Sequence, residues 1–524
     1  MKKRIEAFKN DYRQNVALLG PELIGKTSLV LELLNQHNDK TIIPVYVEVK
    51  SEPLQFFVQK FIGVFLNRFI TTVEHQSPED LNLLIKKCRQ HASKTYLGIK
   101  DVFSHLENNN NNEAFVRLLQ LPVIFYAETN KRCLIAIDEF QNLETLKINN
   151  PFKVLSNAIM MQKTTMYIIT SSWEAKARQI LSEKLSLLFG NFETLHITSF
   201  DMPTSKFFLD KKLMDIEMQD LCKKFLYNLT MGKPFYLDLI VERLKRLFAA
   251  DKTKKMTREL IIDALNDLLF DPRGILHQYF EHHIGTFLQN RTYCTFSLIL
   301  NALADGQKRT AGISKYTNRP VKDITQHLSQ LINMEIVQRS GSFNRLHDPM
   351  LKLWLKYVYK TRQQNYSTNP QMLSTAFNMA IDDNFTAFCD TDRKNLGEIL
   401  LTLFESFGNE IVEIGKKRFK LSKFKKVELK NQSGFCYIIA TPASSQKQWI
   451  CLLENKLITE QDIIDFSQYL RNAKLRPIRK IIVTIRTLDV NAKLKALEDK
   501  FIIWEIETLN SLLDLYSRCG VVRW

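Results

Sequence analysis

Gly20, Gly25, Lys26 and Thr27 stand at the spacing G-x-x-x-x-G-K-[ST] within Val16–Val30, VALLGPELIGKTSLV. A loop that wraps the β-phosphate of a nucleoside triphosphate must turn successive backbone N–H groups toward the anion. Glycine permits the close approach and the φ values this needs. Lys26 would reach the β- and γ-phosphates, and Thr27 would ligate Mg²⁺. The helix opening near Thr27, with Ser28 in its first turn, would add its positive end. Such a site needs an acid on the far side of the metal. RCLIAIDEFQNL, from Arg132 to Leu143, ends an apolar run in Asp138 and Glu139. Asp138 fits the metal role and Glu139 the polarisation of an attacking water. At the end of another apolar run, MYIITSS, Thr170 or Ser171 could sense the γ-phosphate. A glycine turn, an ordinary strand end and strand-terminating hydroxyls are the plain alternatives. Finding all three segments on one chain favours the phosphate chemistry.

The flanking segments predict how these residues are positioned. VALLG reads as a buried strand and TSLVLELL as the helix behind the loop. Thr41–Val49, TIIPVYVEV, reads as a second strand, and residues 51–130 read as mostly helical, with Asn108–Asn112 as a polar, helix-breaking insert. Strands ending in Asp138-Glu139, at Ser172 and in LETLHITSF follow. That order predicts an α/β fold with a doubly wound parallel sheet.

At 524 residues the chain is too long for one core and predicts about three domains. No apolar run approaches the roughly twenty residues of a membrane span, and MKKRIEAFKNDYRQN has no apolar h-region, so no membrane association and a cytoplasmic location are expected. The eight cysteines form no C-x-x-C pair and read as reduced packing residues. A formal charge of +17 favours polyanionic partners, although solubility accounts for part of such an excess.

GPELIGKTSLV, LIAIDEFQNL, IITSSW, LLFGNFETLHITSF and MGKPFYLDLI together resemble the archaeal-type ATPases of the STAND branch, relatives of AAA+ proteins such as the Orc/Cdc6 initiators. The resemblance covers the ATPase core and most of the remaining chain. It implies ATP and Mg²⁺ as cofactors and, through the G-x-P segment, Gly232 and Pro234 near the adenine. The chain departs from the pattern at Glu22, Leu23 and Ile24, where relatives often carry basic residues, and at Gly190-Asn191, where they tend to have Gly-Arg. Arg178 is a nearby substitute for that arginine.

The resemblance also orders the rest of the chain: an ATPase core over 1–200, a helical lid over 201–284, a winged helix and connector over 285–360, linker helices over 361–389, and a restriction-endonuclease-like domain over 390–524. Val321–Asn333 is the candidate recognition helix, with Arg319, Lys322, His327 and Arg339 as groove or backbone candidates for DNA. Winged helices in this branch also serve as protein–protein modules, so both readings stay open. In the connector, Trp354, Tyr357 and Tyr359 read as core. In the last domain, Glu454-Asn455-Lys456 preserve one half of a metal-dependent nuclease motif, with Glu405 as an assisting acid, while Cys436–Pro442 lacks the carboxylate of the other half. Lys416–Lys430 carries eight Lys or Arg and suits a nucleic-acid backbone or a lysine-protected edge strand. The expected function is an ATP-binding, ATP-hydrolysing switch coupled to DNA. The alternatives are a nucleotide-gated regulatory protein acting through a homo-oligomer or protein partner, and a metal-dependent nuclease.

Overall fold

The computed structural model describes residues 1–36, 39–185, 192–214, 216–250, 256–288, 293–364, 369–415, 417–444, 447–454, 456–475, 477–486 and 488–523. The chain divides into two compact units, Met1–Ser199 and Phe200–Trp524.

The first unit is built on four short runs rich in β-branched and aliphatic residues, β1 (Asn15–Leu19), β2 (Ile42–Glu48), β3 (Arg132–Asp138) and β4 (Thr165–Ser171), and on a more polar, half-exposed edge strand, β5 (Phe192–His196). All pair in parallel, in the order β2-β3-β4-β1-β5. β1, β3 and β4 are buried on both faces, as a continuous apolar pattern requires. On one face, α1 (Lys2–Lys9) and α2 (Lys26–Asn35) cover Val16, Leu18, Leu134, Ala136 and Ile168. On the other lie α3 (Leu54–Glu74), α4 (Leu81–His91), α5 (Ser93–Glu107), α6 (Asn111–Thr129), α7 (Pro151–Met161) and α8 (Glu174–Gln179). The expected doubly wound parallel sheet is therefore present.

The asparagine run breaks the helix as expected. Asn109 takes φ +55° and the Asn110 side chain caps α6 through the N–H of Glu113. One expectation is corrected. α3, 21 residues long, has the length and apolar composition of a membrane span. It packs inside the unit, with Phe65 and Phe69 each set edge-on to Phe125 at 4.9 Å and with Phe57 and Phe61 in the same cluster. An amphipathic helix interrupted by Lys60 and Arg68 reads as less apolar to the eye than its phenylalanines make it.

The second unit begins with helices α9 (Met202–Lys212), α10 (Asp220–Thr230), α11 (Pro234–Ala250), α12 (Arg258–Leu265) and α13 (Ile275–Leu288). α14 (Tyr293–Ala304), α15 (Thr310–Thr317) and α16 (Val321–Asn333) follow, then an antiparallel hairpin of β6 (Val337–Ser340) and β7 (Phe343–Leu346). Three helices closed by a hairpin form a winged helix. α16 buries Ile324, Leu328 and Leu331 at a spacing of four and three residues, which leaves its opposite face to solvent.

α17 (Pro349–Trp354), α18 (Lys360–Gln364) and the long α19 (Pro370–Arg393) lead to the last part of the chain. Trp354 is buried, as expected, and its indole N–H points to His277, while Tyr357 and Tyr359 are only half-buried.

In the last part, α20 (Leu396–Glu405) precedes the hairpin β8 (Ile411–Ile414) and β9 (Lys417–Lys420). The strands β10 (Phe424–Gln432), β11 (Phe435–Pro442), β12 (Trp449–Glu454), β13 (Arg479–Thr484) and β14 (Phe501–Trp504) form a sheet in sequence order, antiparallel through β12 and parallel from there on. α20 and α23 (Ile506–Leu515) pack on one face of the sheet; α21 (Glu460–Asn472) and α22 (Val490–Glu498) cover the other.

Candidate nucleotide site

The loop between β1 and α2 is shaped by steric limits. A Cβ on Gly20 would lie 2.4 Å from the carbonyl oxygen of Ile197, so only glycine fits where the loop leaves the sheet. Gly25 has φ +90° and open space around it, so its requirement is conformational. It is the N-cap of α2 and no side chain caps the helix, which leaves the first-turn N–H groups of Lys26, Thr27 and Ser28 without intrahelical partners. Thr27 and Ser28 are exposed and Lys26 is buried. Its Nζ donates to the carbonyls of Gly20 and Pro21, both at 2.8 Å, and so closes the loop on itself. Burial lowers the Lys26 ammonium below the ordinary lysine value, against the pull of Glu139 and Asp138. A desolvated cation in a loop with unpartnered N–H groups is an anion site.

The strand order sets the acids opposite this loop. β4 inserts between β1 and β3, so the ends of β1, β4 and β3 stand side by side. Thr27 Oγ1 donates to Asp138 Oδ2 at 2.7 Å, and Tyr46 on β2 donates to the same oxygen at 2.6 Å. Thr170 Oγ1 donates to Oδ1. Burial and then the bond to Asp138 push the Tyr46 phenol up, so it stays a donor. Residues 111 positions apart thus form a pair of hard oxygen donors at bonding distance. Thr27 and Asp138 fit a Mg²⁺ that keeps most of its waters.

Glu139 adopts φ +53° just past β3. Its Oε2 accepts from the Ser172 amide at 3.0 Å, the Ser172 hydroxyl at 2.7 Å and Gln141 Nε2 at 2.6 Å, while its own N–H points to Thr170 Oγ1 at 3.3 Å.

The two expected sensors, Thr170 and Ser171, are both fully buried, and the Ser171 hydroxyl is engaged with the Trp173 backbone at 3.1 and 3.2 Å. At this strand end the hydroxyls that reach the carboxylates are those of Thr170 and Ser172. Side chains alternate along a strand, so residues 170 and 172 share the face that 171 leaves. That period-two signal was present in IITSS and singles out Ser172. Arg178 pairs with Glu174 at 3.2 Å on exposed α8, and Gly190-Asn191 lies outside the described residues.

Gly232 and Pro234 belong to the second unit. Gly232 has φ +71°, and a Cβ there would lie 2.1 Å from the Phe200 carbonyl oxygen. Pro234 opens α11. Between them, Lys233 is buried and bonded to Asp348, which caps α17 through the N–H groups of Met350 and Leu351. Of the DNA candidates, Arg319, Lys322 and Arg339 are exposed, whereas His327 is only half-exposed, bonded to the Asp323 carbonyl and set edge-on to Phe296. In the C-terminal domain, Lys456 bonds Asp462 at 3.0 Å, Glu405 is exposed and Asn455 lies outside the described residues.

Fold and site together define a P-loop nucleotide-binding core carried on one chain with a winged helix. The arsR family of bacterial regulatory proteins matches residues 297–339, from within α14 to β6. Over 256 residues, 46% of this chain and 67% of the relative, the sequence is 22% identical to an uncharacterized ATP-binding protein of Methanocaldococcus jannaschii. Among solved structures, the Walker-type ATPase of Pyrococcus abyssi is similar at 17% identity and a TM-score of 0.45, with 67% of this chain and 93% of that one covered. The Aeropyrum pernix ORC2 protein in its ADPNP-ADP complexes is similar at 10% identity and a TM-score of 0.44, covering 74% and 92% of the two chains.

Proposed function

We propose that this protein is an ATP-binding, ATP-hydrolysing switch whose nucleotide state is coupled to the handling of duplex DNA. The observation that carries the reading is the Thr27–Asp138 contact across the mouth of a phosphate loop whose lysine is already buried. Mg²⁺, held by Thr27 and Asp138, would neutralise charge on the β- and γ-phosphates. With a triphosphate in the loop, Lys26 exchanges its two loop carbonyls for phosphate oxygens. The first-turn N–H groups of α2 bind the β-phosphate. Glu139 orients the attacking water and accepts its proton, and Ser172 fixes the carboxylate that does so. The relative of 22% identity, described as ATP-binding, supports ATP as the nucleotide.

DNA enters the reading through the winged helix, whose α16 presents a solvent-facing surface, and through the +17 charge. For the C-terminal domain, a restriction-endonuclease-like fold without a working metal centre fits best. The β11 residues paired with β12, Cys436 to Ala440, include no carboxylate to join Glu454. Lys456 is drawn to Asp462 at 3.0 Å instead of Glu454. Plasmid cutting in Mg²⁺ or Mn²⁺ that is lost in Lys456→Ala would overturn that part.

For the ATPase, Glu139→Gln is expected to bind ATP like the parent and to stop turnover. Equal hydrolysis by the two proteins would refute the role of Glu139.

A further inference from the structure

In a free winged helix the hairpin projects toward the nucleic acid, yet here its turn is built into the C-terminal domain. A Cβ on Gly341 would lie 2.2 Å from the Ile411 carbonyl oxygen, and Ser342 N–H donates to that same oxygen at 2.8 Å. Phe343 is buried in the C-terminal core with Val412 and Phe419, and its ring meets Tyr516 at 5.4 Å. Arg309 and Tyr516 both reach the buried Glu410, and Lys308 and Arg345 converge on Asp514. Of β6, only Gln338 and Arg339 remain exposed.

The helix that faces solvent carries little charge. Lys322, Thr325, Gln326, Ser329, Gln330 and Asn333 are exposed at i, i+3, i+4, i+7, i+8 and i+11, one stripe along α16, with Asp323 and Val321 beside its first turn. Amides and hydroxyls of this kind hydrogen-bond base edges, but they do not neutralise phosphates. The cations lie next door. β6 touches both α16 and β8, so one strand links the helix to the β8–β9 hairpin. On that hairpin Lys417, Arg418 and Lys420 are exposed, as are Lys423 on the link that follows and Lys425 at the start of β10, with Glu413 the acid facing Arg418 across the ladder. Among the described residues none of these five cations has a carboxylate within ion-pair distance, whereas Lys426 is paired with Glu428 at 2.8 Å. Lys417, Arg418 and Lys420 lie on β9, away from the β10 strand, so protection of the β10 sheet edge does not account for them.

We propose that duplex DNA is held by a composite surface in which α16 reads base edges and the β8–β9 hairpin of the C-terminal domain makes the phosphate contacts in place of the docked wing. The proposal rests on the DNA reading given above and assigns its labour.

The test uses the full-length protein and a fluorescein-labelled mixed-sequence duplex, titrated between 50 and 300 mM salt. Lys417→Glu/Arg418→Glu/Lys420→Glu should lower affinity at least tenfold at the lowest salt. It should also flatten the dependence of log K on log salt by about 2.7, three phosphate contacts at about 0.9 each. Gln326→Ala/Gln330→Ala should keep the parent's salt slope and lose preference among sequences. An unaltered thermal transition and unaltered ATP binding confirm that the triple variant is folded. A triple variant that binds with the parent's affinity and slope overturns the composite surface. A parent that binds no duplex at any salt refutes the DNA reading itself. Binding confined to single-stranded RNA overturns the duplex assignment.

Discussion

Replacing Lys233 by methionine keeps most of the side-chain volume and removes the ammonium that Asp348 faces inside the second unit. The two side chains are 9% and 15% exposed, so the carboxylate left behind has little access to water. Burial alone would push the Asp348 carboxyl up. The Lys233 ammonium, the Tyr236 hydroxyl and the Leu351 N–H outweigh it and hold the group below the usual carboxylate range. Breaking a buried pair by removing one partner costs about 3–5 kcal/mol. Here Asp348 would keep Tyr236 at 2.6 Å and two helix N–H groups at 2.9 and 3.1 Å, which places the expected loss at the lower end, about 3 kcal/mol. The assay is urea unfolding followed by tryptophan fluorescence, because Trp354 is buried in the helix that Asp348 caps. Since the folded carboxyl titrates below its unfolded value of 3.8, its stabilisation is fully present above that pH and is lost as the pH falls through the folded value. The difference between parent and variant should therefore shrink in acid. Asp348→Asn in the Lys233→Met background should recover part of the loss. A variant within about 0.5 kcal/mol of the parent at pH 7, the level of an ordinary surface substitution, would refute the reasoning.

Three further outcomes follow from the same geometry. Ser172→Ala removes one charge-assisted hydrogen bond from Glu139 and should lower kcat about tenfold with KM for ATP unchanged, read by steady-state hydrolysis. Gly20→Ala must displace the Ile197 carbonyl or the loop, and should destabilise the protein by about 1–3 kcal/mol and weaken nucleotide binding together, read by melting with and without ATP. Burial, opposed by Asp514, lowers Lys308 to about 8, below its unfolded value of 10.5. Between these values the unfolded chain binds the extra proton, so this site adds stability as pH rises from about 8 toward 10.5. Lys308→Met should flatten that rise in a pH series of unfolding curves.

The phosphate loop and Asp138-Glu139 were legible because their information is local: a glycine spacing that only a loop needs, and an apolar run that stops in two acids. The helix break in the asparagine run was legible for the same reason. Ser172 was less legible because it lies one residue past β4, where only the two-residue alternation in IITSS, and not the strand end itself, selects it. In the G-x-P segment Gly232 and Pro234 drew notice for their backbone properties. The side chain that makes the long contact is Lys233, and its partner lies 115 residues away. The docking of Gly341 on Ile411 left no mark in either segment alone, since a wing turn that meets solvent and one that meets a neighbouring strand both favour glycine. Likewise, nothing in LHDPMLKLW distinguishes an aspartate that only caps a helix from one that also buries an ion pair.

The central claim is that Val16–Val30 holds a triphosphate through Lys26. Isothermal titration of Mg-ATP into the parent should give saturable binding at one site per chain, and Lys26→Ala, with an unchanged unfolding curve, should give none. Equal heats and affinities for the two proteins, or a parent that takes up no ATP at millimolar concentration, would contradict the account.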